Sequence, residues 1–122
     1  MRQAAQFFLG EHDFSAFRST TCSAPSPFKT IRELTIFPIH ARHATLCIEI
    51  EANSFLQHMV RIIVGTLIEV GVGRWPPEVI PTLLEQKDRQ KSGKTAPPEG
   101  LYVLKVIYAH PQAQWSSEVL DE

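Results

Sequence analysis

The stretch ANSFLQHMVRIIVG, from Ala52 to Gly65, is the feature that most constrains how this chain can fold. From Ser54 to about Val70 the apolar residues recur with the spacing of one helix face, and Asn53 stands where an N-cap is expected. At about 100° per residue, one arc holds Phe55, Leu56, Met59, Val60, Ile62, Ile63 and Leu67. The stretch therefore predicts a helix that packs one face on the core.

One charged side chain, Arg61, lies inside this stretch, and the helical wheel places it away from the apolar arc, with Gln57, His58 and Gly65. An unpaired buried guanidinium costs several kcal/mol and cannot lose its proton, so Arg61 must reach water or an anion. A solvated polar face is one interpretation. The glycine favours a contact surface instead, because glycine inside a helix costs up to about 1 kcal/mol relative to alanine and usually marks close approach by another backbone or ligand.

The N-terminal part predicts one helix and then a two-stranded hairpin. Residues 2–10, RQAAQFFLG, have the pattern of a short amphipathic helix that ends at a glycine. Asp13 is a candidate N-cap for one turn that directs Phe14 and Phe17 to the core. Residues 30–37 and the alternating TLCIEIEA of residues 45–52 then predict an antiparallel pair whose second strand has one solvated face.

The C-terminal part predicts a second helix, a polar loop and a last strand. Pro76 and Pro77 announce a helix that runs toward Lys87, and KDRQKSGKTAPPEG follows as a loop long enough to suggest function. Residues 101–108, LYVLKVIY, are apolar on both faces and predict a central strand. The order α-β-β-α-α-β indicates an α+β domain over residues 1–109, a three-stranded antiparallel sheet with helices packed on one face, and a loosely ordered tail over residues 110–122.

Composition excludes several classes of protein. The chain has 122 residues, with 43% hydrophobic and 20% charged, and its net charge of -1 gives no general argument for nucleic acid. No stretch is long and apolar enough for a bilayer and no signal sequence is evident, so a cytoplasmic protein without a membrane partner is expected. Cys22 and Cys47 are expected to be free thiols, since their placement forms neither a disulfide framework nor a metal site.

Four separated blocks of the sequence resemble the C-terminal half of the bacterial tRNA pseudouridine synthase A family, also called TruA. They are FLGEHDFSAFRS, ANSFLQHMVRIIVGTLIEVGVG, the KDR of residues 87–89 and TAPPEGLYVLKVIY, in the order and spacing of that family. The resemblance covers about residues 1–108. It implies one half of a pseudouridine synthase fold in an isomerase, without cofactor or metal, that converts uridine to pseudouridine at positions 38, 39 and 40 of the tRNA anticodon stem-loop.

The resemblance also implies roles for two residues. Arg61 matches the family arginine that pairs with a catalytic aspartate, and a bidentate pair of this kind would hold the carboxylate ionised and oriented. Leu101 matches the aliphatic residue that packs on the target uracil after the base leaves its stack. Arg18, His58, Lys87, Arg89, Lys91 and Lys94 are candidate contacts to the phosphates of tRNA, with a solvated loop as the alternative interpretation.

The chain departs from the family at the nucleophile. The family aspartate lies in an RTDxGVH-type motif of the N-terminal half, and Asp13, Asp88 and Asp121 stand in different contexts. The chain alone is therefore expected to be inert, to need the N-terminal half of the synthase, and to form a homodimer. Two alternatives stay open: a non-catalytic binding or dimerisation module of the same fold, and a ferredoxin-like domain that binds an acidic small molecule at Arg61.

Overall fold

A computed structural model describes residues 1–20, 22, 24–38 and 46–100. The elements in chain order are α1 (Arg2–Gln6), β1 (Gly10–Asp13), β2 (Phe28–Pro38), β3 (Leu46–Ala52), α2 (Met59–Gly71) and α3 (Val79–Gln86). Short 3-10 turns cover Ser15–Phe17, Arg89–Lys91 and Pro98–Gly100. The described part is thus an α+β domain, as the sequence predicts.

The three strands form one antiparallel sheet in the order β1-β2-β3. Leu34 of β2 pairs with Ile50 of β3 and Thr35 pairs with Glu49, so the alternation of each strand fixes which side chains share a face. Leu34 is buried and Glu49 is exposed. The predicted hairpin and its solvated face are therefore confirmed.

The described residues contain one strand that was not predicted. It is β1, whose Gly10 pairs with Ile31, whereas the sequence assigned residues 2–10 to one longer helix. A four-residue polar strand, GEHD, has no apolar alternation to reveal it. The described elements therefore run α-β-β-β-α-α, and the predicted strand over residues 101–108 and the tail over 110–122 lie outside the described residues.

The start of α2 was also predicted wrongly. The helix begins at Met59 after His58, which has a left-handed φ of 62°, so Gln57 and His58 precede the helix. Asn53 caps no helix; its side-chain oxygen accepts hydrogen bonds from the backbone N–H groups of Thr30 and Ser54, at 3.0 and 2.9 Å. A side-chain oxygen that accepts the backbone N–H of Thr30, near the start of β2, is not available to cap a helix.

One hydrophobic core holds the helices against the inner face of the sheet. Phe14 and Phe17 are fully buried as predicted, with ring centroids 6.3 Å apart. The buried apolar residues of the sheet and the two longer helices are Ile31, Leu34, Ile36, Met59, Ile62, Ile63, Leu67, Val70, Ile80, Leu83 and Leu84. Helix α2 therefore packs on the core through its apolar face, and Arg61 lies at the edge of that face.

Helix α2 ends at Gly71, as predicted, and Gly73 follows it with a φ of 86°.

Candidate functional site

Arg61 lies in the first turn of α2, half-buried, and its guanidinium is held by a backbone carbonyl. Its Nε donates to the carbonyl oxygen of Ala96 at 2.7 Å, and the Ala96 N–H donates to the carbonyl oxygen of Arg61 at 3.0 Å. Across residues 1–20, 22, 24–38 and 46–100, the ion pairs are Arg32–Glu51, Arg74–Glu69 and Lys87–Asp13. Arg61 thus has no carboxylate partner in the described part of the chain.

Two glycines let the segment after α3 pass directly over α2. A Cβ at Gly65 would lie 1.7 Å from the backbone oxygen of Lys94, and a Cβ at Gly93 would lie 2.7 Å from Cα of Thr66. The Gly93 N–H donates to Oγ1 of Thr66 at 2.9 Å, and this hydroxyl donates to the Ile62 carbonyl at 2.9 Å. Gly65 therefore marks close approach by another backbone, as the sequence predicts.

Arg89 stabilises the loop that follows α3 by hydrogen bonds to other residues of the same loop. Its Nη1 donates to the Ser92 hydroxyl and to the Gly93 carbonyl, both at 2.9 Å, and its Nη2 donates to Oγ1 of Thr95 at 3.0 Å. The buried Ser92 hydroxyl also lies 2.7 Å from the carbonyl oxygen of Ala16, next to the buried Phe17. The loop is therefore a structured part of the domain, anchored to α2 and to the turn before β2.

Two adjoining open depressions are lined by most of the residues predicted to contact phosphates. They have volumes of about 380 and 420 Å³ and share Ser19, Thr20 and Arg89 in their walls. The first is also lined by Ser15, Arg18, Cys22, Lys87 and Asp88, and the second by His58, Gln90, Ser92, Gly93, Lys94 and Thr95. We call the two together the basic depressions. Lys91 is outside both linings, and Leu101 is outside the described residues.

The basic depressions carry more positive than negative charge, because Arg18, Lys87, Arg89 and Lys94 line them and Asp88 is the acid among their lining residues. Asp88 accepts the Gln90 N–H at 3.0 Å, and Asp13 accepts the Ser15 N–H at 2.9 Å and lies 3.7 Å from Nζ of Lys87. Each of the two carboxylates is hydrogen-bonded within a local turn. Asp121 lies outside the described residues.

The two thiols are free, as predicted, and differ in acidity. Backbone hydrogen bonding at Ala24 and at Gln57, with the charge of Arg18, lowers the pKa of the Cys22 thiol. Burial and the charge of Glu49 raise the pKa of Cys47. Cys22, in the wall of the first depression, therefore carries more thiolate at neutral pH than Cys47 does.

Two classes of site find no support in the described part of the chain. Its histidine, cysteine, aspartate and glutamate side chains form no group of three that could hold a metal ion. None of its helices has the length and apolar character needed to cross a bilayer. The residues that stand out are instead Arg61 and the cationic walls of the basic depressions.

Comparison with known proteins assigns the family. The model of a family described as tRNA pseudouridine synthase matches residues 4–109, and the chain belongs to this family. It is 48% identical over 108 residues to the tRNA pseudouridine synthase A of Shewanella sediminis, covering 88% of this chain and 40% of that protein. The protein of the same name from Thermoanaerobacter sp. is also 48% identical over 108 residues, with 88% and 43% covered. The chain thus spans about two fifths of the length of these curated relatives.

Sequence reasoning missed the residues that hold the loop in place. Thr66, Ser92 and Gly93 make the contacts that set the loop on α2, and each looks ordinary in the sequence. The only signal was indirect: Gly65 in a helical pattern implied a partner backbone without naming it. Arg61 and the loop were both singled out by sequence, but their hydrogen bond was not predicted.

Proposed function

We propose that this chain forms the C-terminal half of a tRNA pseudouridine synthase and supplies one wall of its active site. The whole enzyme would isomerise uridine to pseudouridine at positions 38, 39 and 40 of the anticodon stem-loop. The observation that carries the proposal is Arg61, a half-buried guanidinium with no carboxylate in the described part of the chain. Family membership of residues 4–109 supports it.

The proposed chemistry needs a carboxylate, which we assign to the N-terminal half of the synthase. An aspartate of the N-terminal half would attack the flipped nucleotide, the bond from the ribose to nitrogen would break, and the base would turn and rejoin through carbon. Arg61 would hold that aspartate ionised and aimed, since a charge-assisted pair favours the charged form of a carboxyl group. Leu101 would pack against the uracil.

The basic depressions are proposed to bind the phosphates of the tRNA. Arg18, His58, Lys87, Arg89 and Lys94 line a continuous surface beside the loop that contacts Arg61. Arg89 directs three hydrogen bonds into its own loop, so its main contribution is to shape the surface. Lys94 is exposed and its backbone rests on Gly65, which makes it the best-placed cation for a phosphate.

The activity is tested by transplantation. A chimera carries this chain in place of the matching segment of the Shewanella sediminis tRNA pseudouridine synthase A, and pseudouridine in undermodified tRNA is measured by mass spectrometry. We expect the chimera to be active and the isolated chain to be inactive, because the nucleophile lies in the other half. Activity of the chain alone would overturn the split assignment. A folded but inactive chimera that still binds tRNA would favour the non-catalytic module.

Phosphate binding is tested by charge removal. Lys94→Ala is expected to weaken binding of an anticodon stem-loop RNA and to reduce the slope of log affinity against log salt by about 1, because one counterion fewer is released. Fluorescence anisotropy over a salt series measures both. Arg74→Ala is the matched control, since Arg74 is exposed beyond the other end of α2 and its ion pair within the described residues is with Glu69. Equal effects of the two substitutions would contradict a localised phosphate site.

A further inference from the structure

Arg61 and Ala96 hold each other by two hydrogen bonds of opposite direction. The Ala96 N–H donates to the Arg61 carbonyl at 3.0 Å, and Nε of Arg61 donates to the Ala96 carbonyl at 2.7 Å. The second bond is short and charge-assisted, which places it among the stronger hydrogen bonds in proteins. It fixes the side chain at the one nitrogen nearest the backbone.

The Ala96 carbonyl is itself held against α2 by contacts that do not involve the guanidinium. Gly93 donates its N–H to the fully buried Thr66 hydroxyl, and the Lys94 backbone oxygen occupies the space above Gly65. These contacts therefore set the position of the acceptor independently of the Arg61 guanidinium. A preset acceptor selects one orientation of the guanidinium among those its flexible stem permits.

Engagement of Nε determines how an anion can bind. A carboxylate meets arginine with two parallel bonds either side-on, through Nε and one terminal nitrogen, or end-on, through Nη1 and Nη2. The side-on edge is occupied by Ala96. Nη1 and Nη2 have no partner in the described part of the chain, so the end-on edge is available.

We propose that the Ala96 carbonyl is a positioning group that holds Arg61 by Nε so that its two terminal nitrogens receive a carboxylate end-on. The identity of that carboxylate, an aspartate of the N-terminal half, rests on the proposed function. The orientation of Arg61 does not, because it follows from atoms of this chain alone. The loop over α2 thus fixes the orientation of the Arg61 guanidinium through the Ala96 carbonyl.

The orientation is tested by NMR on the isotopically labelled chain, with the Arg61 signal assigned by its loss in Arg61→Lys. The Nε–H of Arg61 is expected to exchange with solvent at least ~10-fold more slowly than that of Arg74, because the hydrogen bond to Ala96 must open first. The side chain of Arg74 is 71% exposed and bonds Glu69 through Nη1. Equal exchange rates overturn the proposal, whatever the activity of the chimera.

A pair of substitutions at Thr66 tests whether the loop sets the orientation. Thr66→Val removes the acceptor of the Gly93 N–H while nearly keeping the volume, and it should reduce the protection of the Arg61 Nε–H by ~10-fold. Thr66→Ser keeps the hydroxyl and should retain most of the protection. If Thr66→Val does not fold, the wild-type exchange rates still test the bond between the Arg61 Nε–H and the Ala96 carbonyl, on which the proposal rests.

Docking of the carboxylate is tested by measuring the solvent exchange of the Arg61 N–H groups in the chimera. There the terminal N–H groups of Arg61 should gain protection while Nε–H stays protected, and loss of the Nε–H protection would overturn end-on docking. Slow Nε–H exchange in the chain combined with an inactive chimera would refute the proposed function and leave the positioning role in place. The two failures are therefore distinguishable.

Discussion

Gly65→Ala is expected to lower the free energy of unfolding by at least about 3 kcal/mol, near the upper end of the usual cost of overpacking. The added Cβ would lie 1.7 Å from the backbone oxygen of Lys94 and 2.9 Å from its carbonyl carbon. Alanine is the better helix former by about 1 kcal/mol, but that gain is smaller than the cost of the overlap. Relief requires the loop to leave α2, which breaks the bonds of Ala96 and Gly93.

Gly71→Ala on the same helix is the matched control. There the three atoms nearest to an added Cβ all belong to the Met1 side chain, with Cγ at 2.8 Å and Sδ at 2.9 Å, and a flexible side chain can move away. We expect a change within about 1 kcal/mol in either direction. Urea denaturation followed by circular dichroism compares the two variants with the wild type. Similar stability of both variants would show that the loop does not rest on Gly65.

The Gly65 contact also shows how far the sequence predicts this fold. Periodicity located the hairpin, the apolar face of α2 and the position of Arg61 away from that face, because each depends on local alternation. It failed at the start of α2, where Asn53 bonds the backbone of Thr30, a partner that lies in another strand. Contacts between residues distant in sequence decide such boundaries, and no local pattern encodes them.

The candidate site, like the fold, could be predicted from the sequence only in part. Arg61, Arg89 and Lys94 were selected by residue type and by resemblance. Their different roles follow only from the structure. Arg61 is hydrogen-bonded to Ala96, Arg89 is hydrogen-bonded within its own loop, and Lys94 is exposed. Charge in a sequence therefore identifies candidate phosphate contacts, but hydrogen-bond partners decide which cations remain available for a ligand.

The largest functional effect is expected at Arg61, measured in the chimera. Arg61→Ala should lower pseudouridine formation by ~100- to 1000-fold, the range seen when one preorganised stabiliser of charge is removed. The substitution also removes the charge-assisted bond to Ala96, so the free energy of unfolding should fall by about 2 kcal/mol. That loss is too small to explain the activity, which separates the chemical role from a structural one.

Arg61→Lys separates the two tasks of the guanidinium. Arginine bonds the Ala96 carbonyl through Nε and offers Nη1 and Nη2 to a carboxylate, whereas the single ammonium of lysine cannot make both sets of bonds in a planar arrangement. We therefore expect stability close to that of the wild type and activity still at least ~100-fold lower. The test measures turnover of the chimera at saturating tRNA and, on the same samples, the free energy of unfolding by urea denaturation. Near-normal turnover with lysine would show that a positive charge suffices and that the bidentate geometry is dispensable.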